Sequence, residues 1–123
     1  MATPISKHLD ISKTAYASAV AIKGSVQKVN LVCRIIAGMK ADEALLQLQF
    51  CHKRAAKDLH QLLSSAIANA QNNHTLDVDT LYVSEVKVGK AFALKRFSAR
   101  ARGRGTKVLK PYSKVTIFVS EKE

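Results

Sequence analysis

The sequence predicts an α+β protein with a long protruding β-hairpin arm, and three observations carry that prediction. Apolar residues recur at helical spacing between about residues 26 and 73, but at a spacing of two before and after that region. Charge divides just as sharply: residues 1–86 hold nine basic and seven acidic side chains, whereas residues 87–120 hold ten basic and none acidic. The stretch LKRFSARARGRGTKVLK (Leu94–Lys110) alternates arginine with alanine or glycine at its tip, which leaves nothing there to bury.

The first element is a strand in TAYASAVAIKGS, with Tyr16, Ser18, Val20 and Ile22 on one parity and Gly24 ending it. Ser25 stands where a helix N-cap belongs. Val26, Val29, Cys33 and Ile36 then recur at helical spacing, and Gly38 suits the C′ position. ADEALLQLQF forms a short second helix with Asp42 and Glu43 in its acid-favouring first turn. The third helix is the clearest: Ala55, Leu59, Leu62, Ala66 and Ala70 follow i, i+4, i+7, i+11, i+15, with Lys53, Lys57 and Gln61 on the other side. Asn72, Asn73 and His74 end it. From Thr80 the period is two, with Leu81 and Val83 on one parity and Val86 and Val88 on the other. The slip near Ser84-Glu85 marks a bulge or a switch of buried face. KVTIFVS, with Val115, Ile117 and Val119 aligned, is the closing strand and pairs antiparallel with the one before it.

Size decides what lies between those strands. A compact chain of 123 residues has a radius of gyration of roughly 14 Å. Residues 90–110 folded back on themselves give legs of ~33 Å at strand rise. The arm is too long and too charged to lie within the body, so it projects. The chain is expected to be one domain, 1–123, with a body at about 12–88 and 111–121 and the arm at about 89–110.

Apolar residues make up 47% of the chain, enough for a modest core, and the net charge is +11. That charge implies a polyanionic partner. With no Trp, three Tyr and four Phe, base stacking on ring platforms is not the primary mode. In an extended arm Arg100, Arg102 and Arg104 share one face, and Ala99, Ala101, Gly103 and Gly105 add almost no width. Guanidinium groups bind phosphate bidentately, so a thin arginine ribbon suits a crowded nucleic-acid interior. A disordered basic tail is the competing reading, opposed by the alternating strands on both sides. Lys28, Arg34, Lys40, Lys53, Arg54 and Lys57 are helix-borne candidates that also fit an ordinary solvated face.

Other classes find no support. Cys33 and Cys51 lack metal spacing and read as reduced thiols, and His8, His52, His60 and His74 complete no ligand set. No catalytic constellation or cofactor motif is present in the sequence. The N-terminus lacks an apolar leader core, and no apolar run approaches the ~20 residues that span a bilayer. An intracellular, soluble chain is expected. Architectural DNA proteins with a β-ribbon arm are the alternative, but they insert an apolar or proline wedge, and this tip supplies only alanine and glycine between its arginines.

Three segments, SVQKVNLVCRIIAGMKADEAL, SAIANAQNNH and KRFSARARGRGTKVLKPYSKVTIFVSE, resemble the bacterial-type family of the large-subunit ribosomal protein numbered twenty-two. The last is the most diagnostic, with Lys95, Arg100, Ala101, Gly103 and Arg104 at the family's intervals. Val26, Asn30, Ala99 and Lys114 depart from its usual residues. The resemblance implies helices packed on a three-stranded antiparallel sheet at the outside of the cytoplasmic large subunit, near the nascent-chain exit. It implies contacts with several domains of large-subunit RNA, an early role in assembly, and a neighbour in the large-subunit protein numbered four. No cofactor, metal, membrane or homo-oligomer is expected. The RNA-contacting set is expected to comprise Ser25, Gln27, Lys28, Arg34, Lys40, Lys53, Arg54 and Asn69 in the body. In and around the arm it comprises Lys87, Lys90, Lys95, Arg96, Arg100, Arg102, Arg104, Lys107, Lys110 and Lys114. Ser98, Ala99, Arg100, Ala101, Arg102, Gly103, Arg104 and Gly105 are expected to line the tunnel beside the nascent polypeptide.

Overall fold

A computed structural model of the chain describes residues 13–121. The expectations for the leader region, for His8 and for a body starting at residue 12 fall outside these residues. Strand β1 (Thr14–Lys23) leads through Gly24 into helices α1 (Val26–Ile36), α2 (Ala41–Gln49) and α3 (Arg54–Asn73). Strands β2 (Leu81–Ala99) and β3 (Gly105–Glu121) follow. The sheet is antiparallel with order β1-β3-β2, so the last strand is central. An α+β fold with a three-stranded sheet and a long hairpin is what the sequence predicted.

The core lies between one face of the sheet and the helices. Leu81, Val83, Val115, Ile117 and Val119 meet Val29, Val32, Cys33, Ile36, Leu59 and Leu63, all at 2% exposure or less. The spacing read for α3 holds at every position: Ala55, Leu59, Leu62, Ala66 and Ala70 are all buried. In β1 the buried residues are Ala15, Ala17 and Ile22, while Tyr16 and Val20 face solvent. The parity read from Tyr16 and Val20 therefore marks the outer face. Alanines fit inside because α3 packs across β1 with its own small residues, and Asn69 Nδ2 donates to the Tyr16 carbonyl at 3.0 Å. A register shift between Ala19 and Ile22 then returns Ile22 to the core.

Turn chemistry follows the sequence. Ser25 Oγ accepts from the Lys28 amide, capping α1. Gly38, at φ 82°, follows α1, and its amide donates to the Val83 carbonyl. The bulge expected near Ser84 lies between Val83 and Glu85, and a second follows between Lys90 and Phe92. Beyond it the two legs stay in unbroken register from Phe92–Tyr112 to Ala99–Gly105. No residue from Gly89 to Lys110 is buried.

Candidate nucleic-acid interface

The hairpin begins where its root is pinned to the body. The Gly24 amide donates to the Pro111 carbonyl at 3.1 Å, and the buried Ser113 hydroxyl donates to the Gly24 carbonyl at 2.9 Å. Just beyond, Phe92 and Tyr112 stack across the strands with centroids 4.7 Å apart. Alternation then sets the chemistry of each face. Lys95 and Lys107 share one side with Phe97 and Leu109, while Arg96 and Lys110 share the other with Leu94 and Val108. Both faces carry cations, and neither carries an acid.

The tip is a tight reversal rather than an extended strand. Ala101–Gly103 form a 3-10 turn, closed by the Arg100 amide donating to the Arg104 carbonyl at 2.6 Å. Arg102 (φ 63°) and Gly103 (φ 70°) are left-handed. The three arginines therefore do not follow one strand face. The chain reverses over the five residues between Ala99 and Gly105, and these two left-handed residues turn it. Arg100 Nε is 3.3 Å from Thr106 Oγ1 and donates to it, so one arginine is oriented back along the leg. Gly105 has a second use: a Cβ there would lie inside the Phe97 ring, which laps over it from the facing strand. An aromatic across a strand glycine covers backbone that would otherwise lie open.

The body contributes a second basic feature. Lys23, Lys28, Lys53, Arg54 and Lys110 surround a groove of about 670 Å³, whose walls include Leu31 and Leu109. Its lining contains no acidic residue. Lys53 gives α3 no side-chain cap, so the first turn of that helix borders the groove with its backbone donors uncommitted to a side chain. Of the residues expected to contact RNA, the structure brings Ser25, Lys28, Lys53, Arg54 and Lys110 together here. Lys23 and the two leucines were not foreseen. Nothing local marks them, since the wall is assembled from residues more than eighty positions apart.

The remaining expected residues lie elsewhere. Lys87 sits 5.3 Å over the Phe118 ring on the sheet face away from the helices, and Lys114 is exposed on that face two rungs along. Gln27 and Arg34 are exposed on α1, and Lys40 is the N-cap residue of α2 bridged to Tyr82. Asn69 is engaged with β1. Among the described residues no group of three or more His, Cys, Asp or Glu could hold a metal ion, and no helix is long and apolar enough to cross a membrane. Burial pushes the Cys33 thiol from 9.0 up to about 11, which makes it a poor nucleophile or ligand.

Fold and surface together define a small α+β protein whose central strand extends into an exposed, acid-free basic hairpin. Residues 17–120 match the family described as Ribosomal protein L22p/L17e, and the chain belongs to that family, which is structural and not enzymatic. It is 52% identical over 111 residues to the large ribosomal subunit protein uL22 of Zymomonas mobilis, covering 90% of this chain and 88% of that one. It is 57% identical over 107 residues to the same-named protein of Methylorubrum populi, covering 87% and 84%. With that of Maricaulis maris it shares 56% over 102 residues, covering 83% and 81%.

Proposed function

We propose that the protein is a cytoplasmic constituent of the large ribosomal subunit, held there by RNA packed against both faces of the hairpin and against the basic groove at its root. One observation carries this reading: the exposed legs present cations on both sides with no acid on either. A protein lying on a nucleic-acid surface needs charge on one side only. Charge on two sides suits enclosure, and phosphate contacts then supply most of the affinity. The hairpin's narrow, small-residue tip would reach the nascent-chain tunnel, with residues 98–105 in its wall. The large-subunit protein numbered four would be a neighbour, and early assembly would use the contacts with several RNA domains. The body at about 12–88 and 111–121 would fold by itself, and the arm at about 89–110 would not.

Co-sedimentation with large subunits after a high-salt wash tests the location. Binding to structured large-subunit RNA, set against duplex DNA, tests the partner. Replacing Arg100, Arg102 and Arg104 by Ala should flatten the dependence of log affinity on log salt by about two units. An unchanged slope would remove those arginines from the phosphate-contacting set. Deleting Ser98–Gly105 leaves the cations of both legs and the groove, so stoichiometry in purified subunits should stay near normal while stalling on a tunnel-sensing peptide changes. Loss of incorporation would instead make the tip an assembly anchor.

A further inference from the structure

We propose that the groove between α1, the start of α3 and the hairpin root receives a single unpaired nucleotide of the RNA, its base between Leu31 and Leu109 and its flanking phosphates on the rim cations. The inference rests on the RNA-binding reading above and adds which kind of RNA element this surface takes. Shape separates the possibilities first. A duplex spreads its phosphates along a ridge many nucleotides long, which needs an extended basic track rather than one small hollow. This surface is concave, and its volume of about 670 Å³ lies in the range of small-molecule sites.

The chemistry of the lining makes the same distinction. Leu31 is 51% exposed and Leu109 is 58% exposed, although both stand among lysines. A site meant only for phosphate has no use for two open leucines. An extruded base has: its flat faces are apolar, and splayed-out bases are what proteins ordinarily read in folded RNA. The rim then matches the rest of the nucleotide. Lys23, Lys28, Lys53, Arg54 and Lys110 approach from four elements of the chain (β1, α1, the start of α3 and β3), and no acid in the lining opposes an incoming phosphate. The walls are also set in advance. The Gly24–Pro111 hydrogen bond holds the hairpin root, two residues from Leu109, against the turn that starts α1, so the strand carrying Leu109 is tied to the helix carrying Leu31 without the RNA. One occupant would thereby touch both the helical body and the arm.

The full-length protein, carrying p-benzoylphenylalanine in place of Leu31 or of Leu109, would be photocrosslinked to a large-subunit RNA transcript. A third protein with the probe in place of Tyr16, on the far face of the sheet, serves as comparison. The expected result is that the Leu31 and Leu109 probes map to the same unpaired nucleotide and the Tyr16 probe does not. Crosslinks from the two groove probes to paired nucleotides, or to sites distant from each other, overturn the proposal while leaving RNA binding intact. A wild-type protein that fails to bind the transcript at low salt overturns the RNA-binding reading and this inference with it. Affinity supplies the second measurement. Leu31→Ser with Leu109→Ser, both at exposed positions, should weaken binding about fivefold to tenfold at an unchanged salt slope. Lys53→Gln with Arg54→Gln should flatten the slope by about one to two units. Unchanged affinity in the leucine double variant also overturns the proposal.

Discussion

The two halves of β3 obey different rules. From Val115 to Val119 the strand buries every second side chain completely, and from Gly105 to Lys110 every side chain is exposed. β2 shows the same division, with Leu81 and Val83 inaccessible and Lys95, Arg96 and Phe97 open to solvent. In the body, hydrophobic burial selects the strand and its register. In the hairpin, burial selects nothing, and pairing is held by the cross-strand ladder, the Phe92–Tyr112 stack, the Phe97–Gly105 contact and the closed tip. A β-ladder thus extends well past the core that nucleates it, provided each leg supplies the other's hydrogen bonds.

Amide hydrogen exchange on the free protein should separate the two regions most widely. Amides from Ala55 to Ala70 should exchange through global opening, and those from Ser98 to Thr106 through local fraying, a difference of several orders of magnitude in rate. Equal protection in both would mean the hairpin shares the body's stability. Next in size, Leu59→Ala removes a fully buried side chain and should cost about 2–5 kcal/mol in chemical denaturation. Arg100→Ala in the tip should stay within about 0.5 kcal/mol.

A third prediction uses the buried thiol. Cys33 is pushed up from 9.0 to about 11 by burial, so its stabilising contribution is complete below pH 9. Above that the unfolded chain releases the proton first, binds fewer protons than the native state, and is favoured as pH rises. On the order of 2 kcal/mol should be lost by about pH 11, and Cys33→Ala should lack this component. The smallest effect sharpens the account of the hairpin. Gly105→Ala must displace the Phe97 ring, which is 74% exposed and free to swing away. Stability should change by about 0.5 kcal/mol or less. The ring-current shift at residue 105 should vanish in the variant, and its absence already in the wild-type protein would mean the ring does not rest there in solution.

Much of the body was legible because burial leaves a period. The Leu59 series, the Ser25 cap, Gly38 and the parity slip after Val83 each correspond to a physical demand that few residue types meet. β1 was legible as a strand but not in its facing, because alanines inside and a tyrosine outside reverse the usual sizes when a close-packed helix takes the room. The second bulge, after Lys90, was silent because no buried side chain changes parity there. The arm was legible through its charge, its length and the alternating strands that flank it, and none of these can show a left-handed Arg102. The groove was least legible of all, since its leucines acquire meaning only when Leu109 is brought beside Leu31.

The unbroken register of the legs has a consequence for how such an arm changes length. From Phe92–Tyr112 to Ala99–Gly105 each residue is matched by one opposite, and the tip is closed by its own hydrogen bond. A single residue inserted in one leg would exchange the two faces of everything beyond it on that leg, setting cations against the wrong neighbours. Matched additions, one residue to each leg, preserve the ladder and lengthen the reach by about 3.3 Å. The hairpin is therefore a ruler with fixed graduations: its reach can be reset in whole rungs, while intermediate lengths require a new bulge.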